Sequence, residues 1–130
     1  MISLSFVIPT RNEAENVEPL LTSICSAVPG SSKEIIFVDD SDDDTPGVLQ
    51  KAIRASDCRA VVLRRSQLTR SGGLSTAVVR GFELARGKFV CTMDADLQHP
   101  VSAVPLMLSA AYRSAADIVV GSRYTNGLTL

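Results

Sequence analysis

Two aspartates one residue apart, Asp94 and Asp96, follow a short apolar run at 89–93 and form the most distinctive chemical feature of the sequence. Side chains alternate in an extended chain, so both carboxylates point to the same side and repel each other. A hard divalent cation relieves that repulsion, and Mg²⁺ commonly takes one or two carboxylates together with waters and substrate phosphates. Gln98 would add a neutral oxygen on the same side. The spacing predicts a metal–diphosphate site, and the alternative is a polar turn in which the aspartates serve only the backbone.

The composition is that of an ordinary globular protein. The 130 residues are 45% hydrophobic and 21% charged, which suits a single domain over residues 1–130 with a real core. The formal net charge is −1, and the sequence pI is about 5.7. Nucleic-acid binders carry a basic stripe or patch, so no nucleic-acid partner is expected.

The sequence has no apolar run near the roughly 18 residues of a membrane span. Its first residues have the pattern of a strand and not of a basic leader. The three cysteines, Cys25, Cys58 and Cys91, are odd in number and lack the paired spacing of metal sites. We expect them to be reduced and buried, as in a protein of the cytoplasm.

Apolar runs of strand length alternate with runs of helical periodicity along the chain. Strands are predicted at 2–8, 34–38, 59–63, 88–93 and 117–121, and a helix is predicted after each of the first four strands. This alternation predicts an α/β fold with a mostly parallel, doubly wound sheet and helices on both faces. Gly81 lies inside the third helix at a cost of about 1 kcal/mol relative to alanine, which predicts close packing there.

Polar clusters follow each predicted strand, at residues 11–13, 39–40, 64–73, 94–98 and 123–124. Ligands of open parallel sheets bind outside the carboxyl ends of the strands. Five polar clusters that converge on one edge of a sheet favour a binding site over a set of unrelated turns.

Three other kinds of α/β site do not fit. A dinucleotide-binding domain requires Gly-x-Gly-x-x-Gly after the first strand, a P-loop requires Gly-x-x-x-x-Gly-Lys-Ser/Thr, and neither motif is present. A phosphoacceptor receiver domain has its acidic pair after the first strand, whereas the pairs here follow the second and fourth. A nucleotide-sugar site remains, in which Asp39 accepts hydrogen bonds from the base, Glu13 holds the ribose and Arg123 contacts phosphate.

Four motifs, in this order, resemble those of the family 2 glycosyltransferases of GT-A fold. They are Val7-Ile8-Pro9-Thr10-Arg11-Asn12-Glu13, Val38-Asp39-Asp40-Ser41, Met93-Asp94-Ala95-Asp96-Leu97-Gln98-His99-Pro100 and Val120-Gly121-Ser122-Arg123-Tyr124. Within that family the motifs at 94–100 and 121–124 most resemble those of polyprenol-phosphate (dolichol-phosphate) mannose synthases. One departure is Ser75, which stands where the family's glycine-rich loop usually has a second glycine.

The resemblance implies a role for each matching residue. The residues implied to bind the nucleotide sugar are Pro9, Arg11, Glu13, Asp39, Asp94 and Arg123. The residues implied to bind Mg²⁺ or Mn²⁺ are Asp94, Asp96 and Gln98. The residues implied to act in catalysis are Asp94, Asp96 and Arg123.

The implied reaction moves a sugar, mannose from GDP-mannose, onto a polyprenyl or dolichyl phosphate at the cytoplasmic face of a membrane. A phosphate oxygen is largely ionised at neutral pH and needs no general base. His99, the only histidine, is accordingly interpreted as a polar loop residue. Transfer of another sugar to a lipid phosphate stays open, as does a nucleotide-binding fragment without activity. The resemblance also implies a chain truncated on its C-terminal side. We therefore expect either self-association through the unpaired edge of the strand at 88–93 or an altered position of the segment at 117–121.

Overall fold

The computed structural model describes residues 1–30 and 32–122. The elements within these residues are β1 (Leu4–Thr10), α1 (Ala14–Ala27), β2 (Lys33–Asp39), α2 (Thr45–Arg54), β3 (Ala60–Arg64), α3 (Gly73–Leu84), β4 (Phe89–Thr92) and α4 (Ala103–Ser114). The first four predicted strands and the four predicted helices are confirmed, with boundaries that differ by a few residues.

The four strands form one parallel sheet in the order β3-β2-β1-β4. Connections between parallel strands are right-handed. The chain therefore carries α1 and α2 over one face as it moves outward from β1 to β3, and α3 over the other face as it returns to β4. The direction of winding reverses between β1 and β4, and ligands of doubly wound sheets bind at such a reversal.

The two faces of the sheet are both buried. On one face, Ile36 and Val38 of β2 pack against Ala77 of α3. A Cβ atom at Gly81 would overlap the side chain of Val7, so this glycine lets α3 lie directly on β1. The close packing predicted at Gly81 is confirmed.

The opposite face carries the alternate side chains of the two central strands. Phe6 and Ile8 of β1 and Ile35 and Phe37 of β2 have no exposed surface. α1 and α2 contact each other, and Leu20 of α1 is also fully buried. Helices on both faces were predicted from the alternation of elements, and the sheet has this arrangement.

β1 continues through Pro9, where the sequence pattern predicted its end. The carbonyl of Thr10 accepts the N–H of Asp40 on the β2 side. Backbone groups alternate along a strand, so the nitrogen of Pro9 faces the β4 side. The last hydrogen bond between β1 and β4 runs from the N–H of Met93 to the carbonyl of Val7, and Pro9 lies beyond it. The proline removes no ladder hydrogen bond, so the strand tolerates it.

The prediction of a fifth strand at 117–121 is wrong for the described structure, which has no strand in this segment. The side chains of Ile118 and Val120 are 81% and 77% exposed. Strand propensity expresses a fit to a neighbouring strand, and none of the described residues pairs with this segment.

The prediction of three reduced cysteines is also wrong. Cys25, near the end of α1, and Cys58, in the loop before β3, form a disulfide with a Cα–Cα distance of 6.2 Å. Packing of α1 beside α2 brings together two cysteines that are 33 residues apart in sequence. Cys91 is a free thiol, and burial raises its pKa to about 11.

A buried carboxylate joins β1, β2 and the entry to β4 at the amino end of the sheet. Glu34 is 5% exposed and accepts a hydrogen bond from Ser5 Oγ at 2.7 Å and from the backbone N–H of Arg86 at 2.8 Å. The Arg86 guanidinium lies 3.1 Å from the same carboxylate. The N–H of Gly87 donates in turn to Ser5 Oγ at 2.8 Å. This network lies at the end of the sheet opposite to the polar clusters.

Residues 1–99 form one compact unit, and a second begins at Pro100 and is described as far as residue 122. α4 is the helix of the second unit. Among the described residues, no helix is both long enough and apolar enough to cross a membrane.

Candidate active site

A cavity of about 270 Å³ lies at the carboxyl ends of β1 and β4. It is lined by Pro9, Thr10, Arg11, Glu13, Asp40, Gly73, Leu74, Ala77, Asp94, Ala95 and Asp96. Its position is the winding reversal between β1 and β4, where the topology favours a ligand site. Residues that are about 80 positions apart in sequence therefore form one cavity wall.

Both members of the acidic pair border the cavity. Asp94 and Asp96 are exposed and line the cavity, while Ala95 between them is 4% exposed. The chain then turns through Leu97, whose φ is +65°, and Asp96 Oδ1 accepts the N–H of Gln98 at 3.1 Å. Because β4 ends at Thr92, the acidic pair lies in the loop that follows the strand.

His99 folds back onto the first aspartate. Its Nδ1 accepts the backbone N–H of Asp94 at 3.2 Å, and its Nε2 lies 3.8 Å from Asp94 Oδ2. His99 thus supports the acidic pair.

Three predicted site residues are not among the described residues that line the cavity, namely Asp39, Gln98 and Arg123. Gln98 is exposed and is absent from the cavity lining. Arg123 lies outside the described residues. The metal role of Gln98 and the phosphate and catalytic roles of Arg123 remain predictions.

Asp39 and Asp40 occupy different environments. Asp39 has no exposed surface, and its Oδ1 accepts the hydroxyls of Thr10 at 2.6 Å and Ser41 at 2.7 Å. Asp40 lines the cavity. Both residues are buried, and only Asp40, which is 7% exposed, borders the cavity. Contact of Asp39 with the base remains a prediction, and its observed contacts are with the loop.

The loops after β1 and β2 are joined by backbone-to-side-chain hydrogen bonds. Asn12 adopts the left-handed conformation, with φ +54°, which asparagine tolerates better than most residues. Its N–H donates to Ser41 Oγ at 2.8 Å, and its Oδ1 accepts the N–H of Asp42 at 3.0 Å. The N–H of Glu13 donates to Thr45 Oγ1 at 3.1 Å. These bonds hold Glu13 at the cavity rim.

Two arginines of the loop between β3 and α3 pair with the acidic turn after β2. Arg65 is 5% exposed and binds the Asp40 carboxylate at 2.6 and 2.7 Å, and this hydrogen bonding raises the pKa of Arg65. Arg70 donates to the carbonyl of Asp40 and to the carboxylate of Asp42. Hydrogen bonding by Arg70 lowers the pKa of Asp42.

The sequence predicts this basic loop and this acidic turn at the same sheet edge, but it does not indicate that Arg65 and Arg70 are the partners of Asp40. The available signal was a basic cluster after one strand and an acidic cluster after its neighbour. That signal cannot tell which arginine is buried.

A second hollow, of about 610 Å³, lies along α1 and beside Val48 of α2. Its charged lining residues are Glu15 and Glu18. Two carboxylates without a cation among the lining residues do not suit a phosphate ligand. The cavity at the winding reversal is the better candidate site.

The family model described as Glycosyl transferase family 2 matches residues 5–129. The chain belongs to this family. This match confirms the predicted family resemblance. Every cavity-lining residue lies within the matched range.

Curated relatives of this family 2 chain include a dolichol-phosphate mannosyltransferase of Pyrococcus furiosus, 42% identical over 127 residues, or 97% of this chain and 34% of the relative. A dodecaprenyl-phosphate galacturonate synthase of Rhizobium johnstonii is 34% identical over 124 residues, or 94% of this chain and 36% of the relative. The chain thus spans about a third of the length of these relatives. Both names contain a polyprenyl phosphate, and the sugars differ.

A solved structure, the mannosyltransferase PcManGT from Pyrobaculum calidifontis in complex with GDP-Man and Mn²⁺, is similar to this chain with a TM-score of 0.70 and 26% identity. The match covers 91% of this chain and 33% of that one. The α/β fold with the GT-A arrangement, as predicted from the sequence, is confirmed.

Proposed function

We propose that this chain carries the nucleotide-sugar site of a metal-dependent glycosyltransferase that moves mannose from GDP-mannose to a polyprenyl or dolichyl phosphate. The observation that carries the proposal is the cavity that Asp94 and Asp96 share with Pro9, Arg11 and Glu13. The relative from Pyrococcus furiosus and the complex from Pyrobaculum calidifontis support a mannosyl donor.

The acidic pair fits Mg²⁺ or Mn²⁺. Asp94 and Asp96 are exposed carboxylates on one cavity wall, and no three His, Cys, Asp or Glu side chains in the described part of the chain group closely enough to form a complete metal cage. Mg²⁺ suits such an incomplete site because it keeps waters and substrate phosphates as its other ligands. A bound divalent ion would act as a Lewis acid that neutralises charge on the leaving nucleoside diphosphate. Gln98 would join the site after a rotation of its side chain.

The nucleoside would extend from the acidic pair toward the ends of β1 and β2. Glu13, on the cavity rim, would accept hydrogen bonds from ribose hydroxyls. Asp40 would accept from the base edge, and Asp39 would shape the loop that presents it. Arg11, whose side chain is 64% exposed, would neutralise phosphate charge, with Arg123 in the same role from the segment beyond residue 122.

The acceptor proposed is a lipid phosphate because the described site offers no free general base. His99 is occupied by the backbone and carboxylate of Asp94. A polyprenyl or dolichyl phosphate carries an ionised oxygen at neutral pH and attacks without proton removal. Transfer would then take place at the cytoplasmic face of a membrane.

Two alternatives differ from this proposal in the sugar that is transferred or in whether the chain turns over at all. The galacturonate synthase relative favours transfer of another sugar to a polyprenyl phosphate as the second candidate. A nucleotide-binding fragment without turnover is the other, because the chain spans about a third of the relatives' length.

We also propose that the isolated chain self-associates through β4. Within the described residues, β4 pairs only with β1, so its outer edge is open. The N–H groups of Phe89 and Met93 face β1, and alternation therefore turns the N–H of Val90 to the outer edge. Such an edge is a template for a second chain.

A donor panel tests the proposed function. The chain is incubated with Mg²⁺, a polyprenyl phosphate and GDP-mannose, UDP-glucose, UDP-galacturonate or GDP-glucose, and binding of each donor is measured by calorimetry alongside transfer. Preferential, Mg²⁺-dependent binding of GDP-mannose is expected, with or without turnover. Preferential binding of a UDP-sugar would contradict GDP-mannose as the donor. An absence of binding to all four donors would contradict the proposal as a whole.

A further inference from the structure

Arg65 is a buried guanidinium at the carboxyl end of β3. It is 5% exposed, and a buried charge is costly unless it is paired and hydrogen-bonded. Its Nε and Nη2 donate to the two oxygens of Asp40 at 2.7 and 2.6 Å. Its Nη1 donates to Thr76 Oγ1 at 2.8 Å, and Nη2 also donates to the carbonyl of Gly73 at 2.9 Å. One side chain thus holds three separate groups.

These contacts connect two parts of the cavity wall that are far apart in the sequence. Asp40 comes from the end of β2, and Gly73 is the first residue of α3. Both line the cavity, and Arg65 itself does not. Arg65 therefore lies behind the wall and fixes the distance between the acidic turn and the start of α3.

The start of α3 needs such support because its backbone is unusual. Gly72 and Gly73 both have positive φ, +87° and +57°, a region that glycine enters freely but does not hold by itself. The hydroxyl of Thr76 accepts from Arg65 and donates to the carbonyl of Ser71 at 2.6 Å. The contacts of Arg65 therefore reach the loop on both sides of the glycine pair.

The pairing leaves Asp40 able to bind a ligand. A carboxylate has about four acceptor positions, and Arg65 occupies two of them. The bidentate geometry fixes the plane of the carboxylate, which a lysine could not do with its single ammonium group. The remaining lone pairs of Asp40 have one orientation relative to the cavity.

We propose that Arg65 is a positioning residue for nucleotide binding: it sets the orientation of Asp40 and the place of the Gly72–Gly73 turn so that the cavity is formed before the nucleotide arrives. This role rests on the proposed function. A buried ion pair with a purely structural role would lower stability when broken and leave the affinity of the folded protein unchanged.

The test compares Arg65→Lys with Arg59→Lys, a matched change at an exposed arginine before β3, at the other end of the sheet. Calorimetry measures GDP affinity in the presence of Mg²⁺, and thermal unfolding gives the fraction folded. Hydrogen–deuterium exchange of the peptide 70–77 reports on the turn without any nucleotide. The same Arg65→Lys change is also made in an Asp40→Asn background.

We expect Arg65→Lys to weaken GDP binding at least tenfold while the protein remains folded, and to speed exchange in peptide 70–77. Arg59→Lys should change neither. In the Asp40→Asn background, Arg65→Lys should reduce affinity by a smaller factor than in the parent, because only the contacts with Thr76 and Gly73 remain to be lost. If Arg65→Lys does not fold, Thr76→Val replaces it, with a roughly threefold loss of affinity expected.

Each contrary result has its own meaning. GDP affinity within twofold of the parent in Arg65→Lys, or in Thr76→Val if that variant is used, would overturn the positioning role. Independent, multiplicative effects of Asp40→Asn and Arg65→Lys would also overturn it. A parent chain that binds no GDP contradicts the proposed function, and a parent that binds GDP with an unaffected Arg65→Lys variant contradicts only this inference.

Discussion

The hydroxyl of Thr10 donates a hydrogen bond of 2.6 Å to Oδ1 of Asp39, across the ends of β1 and β2. The same oxygen accepts the hydroxyl of Ser41 at 2.7 Å. Asp39 therefore links the ends of the two central strands at the point where their loops begin. Its neighbour Asp40 lines the cavity and pairs with Arg65.

Asp39→Asn and Asp40→Asn should have different effects. Asp39→Asn should lower the free energy of unfolding by roughly 1–3 kcal/mol, the range for disturbed buried hydrogen bonds, with a smaller effect on GDP affinity. Asp40→Asn should weaken GDP binding more than it weakens binding of free pyrophosphate. Denaturant unfolding and calorimetry measure both quantities. A stable Asp39→Asn variant with a selective loss of GDP affinity would instead support Asp39 as the base contact.

Gly81→Ala should destabilise the fold although alanine favours helix. The new methyl group would overlap Val7, and overpacking of a core costs about 1–3 kcal/mol, more than the gain in helix propensity of about 1 kcal/mol. Gly47→Ala in α2 is the control, because a Cβ there meets no atom within 4 Å. Urea unfolding should show a loss for Gly81→Ala and a gain for Gly47→Ala. Equal gains at both positions would contradict the packing of α3 on β1.

Glu34 should make stability depend on acid pH. Burial raises its pKa, and the hydrogen bonds from Ser5 and Arg86 together with the charge of Arg86 lower it by more, so the folded-state pKa lies below the ordinary value of 4.5. A carboxyl with a depressed folded pKa contributes its stability above the unfolded pKa and loses it as the pH falls through the folded pKa. Glu34→Gln should therefore cost roughly 1.5–3 kcal/mol at pH 7.

The difference in unfolding free energy between the parent and Glu34→Gln should shrink steadily below about pH 4.5. Guanidinium titrations at pH 7, 5, 4 and 3 measure it. Glu83→Gln, which alters an exposed ion pair with Arg80 on α3, is the control and should have little effect at any pH. A cost for Glu34→Gln that stays constant from pH 7 to pH 3 would argue against the charge of Glu34 as its source.

The outer edge of β4 should determine the oligomeric state of the isolated chain. Val90→Pro removes an N–H that faces away from β1 and should shift the protein toward monomer while the β1–β4 ladder stays intact. Sedimentation velocity over a range of concentrations measures the shift. A parent chain that remains monomeric at all concentrations would exclude pairing through this edge.

Local patterns predicted much of the fold because each strand or helix carries its own periodicity. They also predicted the position of the site, since the ends of parallel strands share one edge and the topology brings the loops after β1 and β4 together. The segment at 117–121 could not be predicted in the same way, because a strand forms only against a partner. The disulfide between Cys25 and Cys58 also depends on how helices pack and not on local sequence.

The roles of adjacent acids were equally hidden. Asp39 and Asp40 are chemically identical in the sequence; in the structure both are buried, at 0% and 7% exposed, and only Asp40 lines the cavity. The pairing of Arg65 with Asp40 joins residues that are 25 positions apart in two loops. No local pattern distinguishes Arg65 from Arg64 beside it.

The central claim is that Asp94 and Asp96 bind a divalent ion that holds the diphosphate of a nucleotide sugar. The most direct measurement is GDP-mannose affinity by calorimetry with Mg²⁺, with Mn²⁺ and with chelator, for the parent, Asp96→Asn and the control Asp57→Asn in the exposed loop before β3. We predict at least tenfold tighter binding with metal for the parent and Asp57→Asn, about 1.4 kcal/mol or more, and loss of that metal effect in folded Asp96→Asn. Equal affinity with metal and with chelator in the parent, or an unchanged metal effect in Asp96→Asn, would contradict the account.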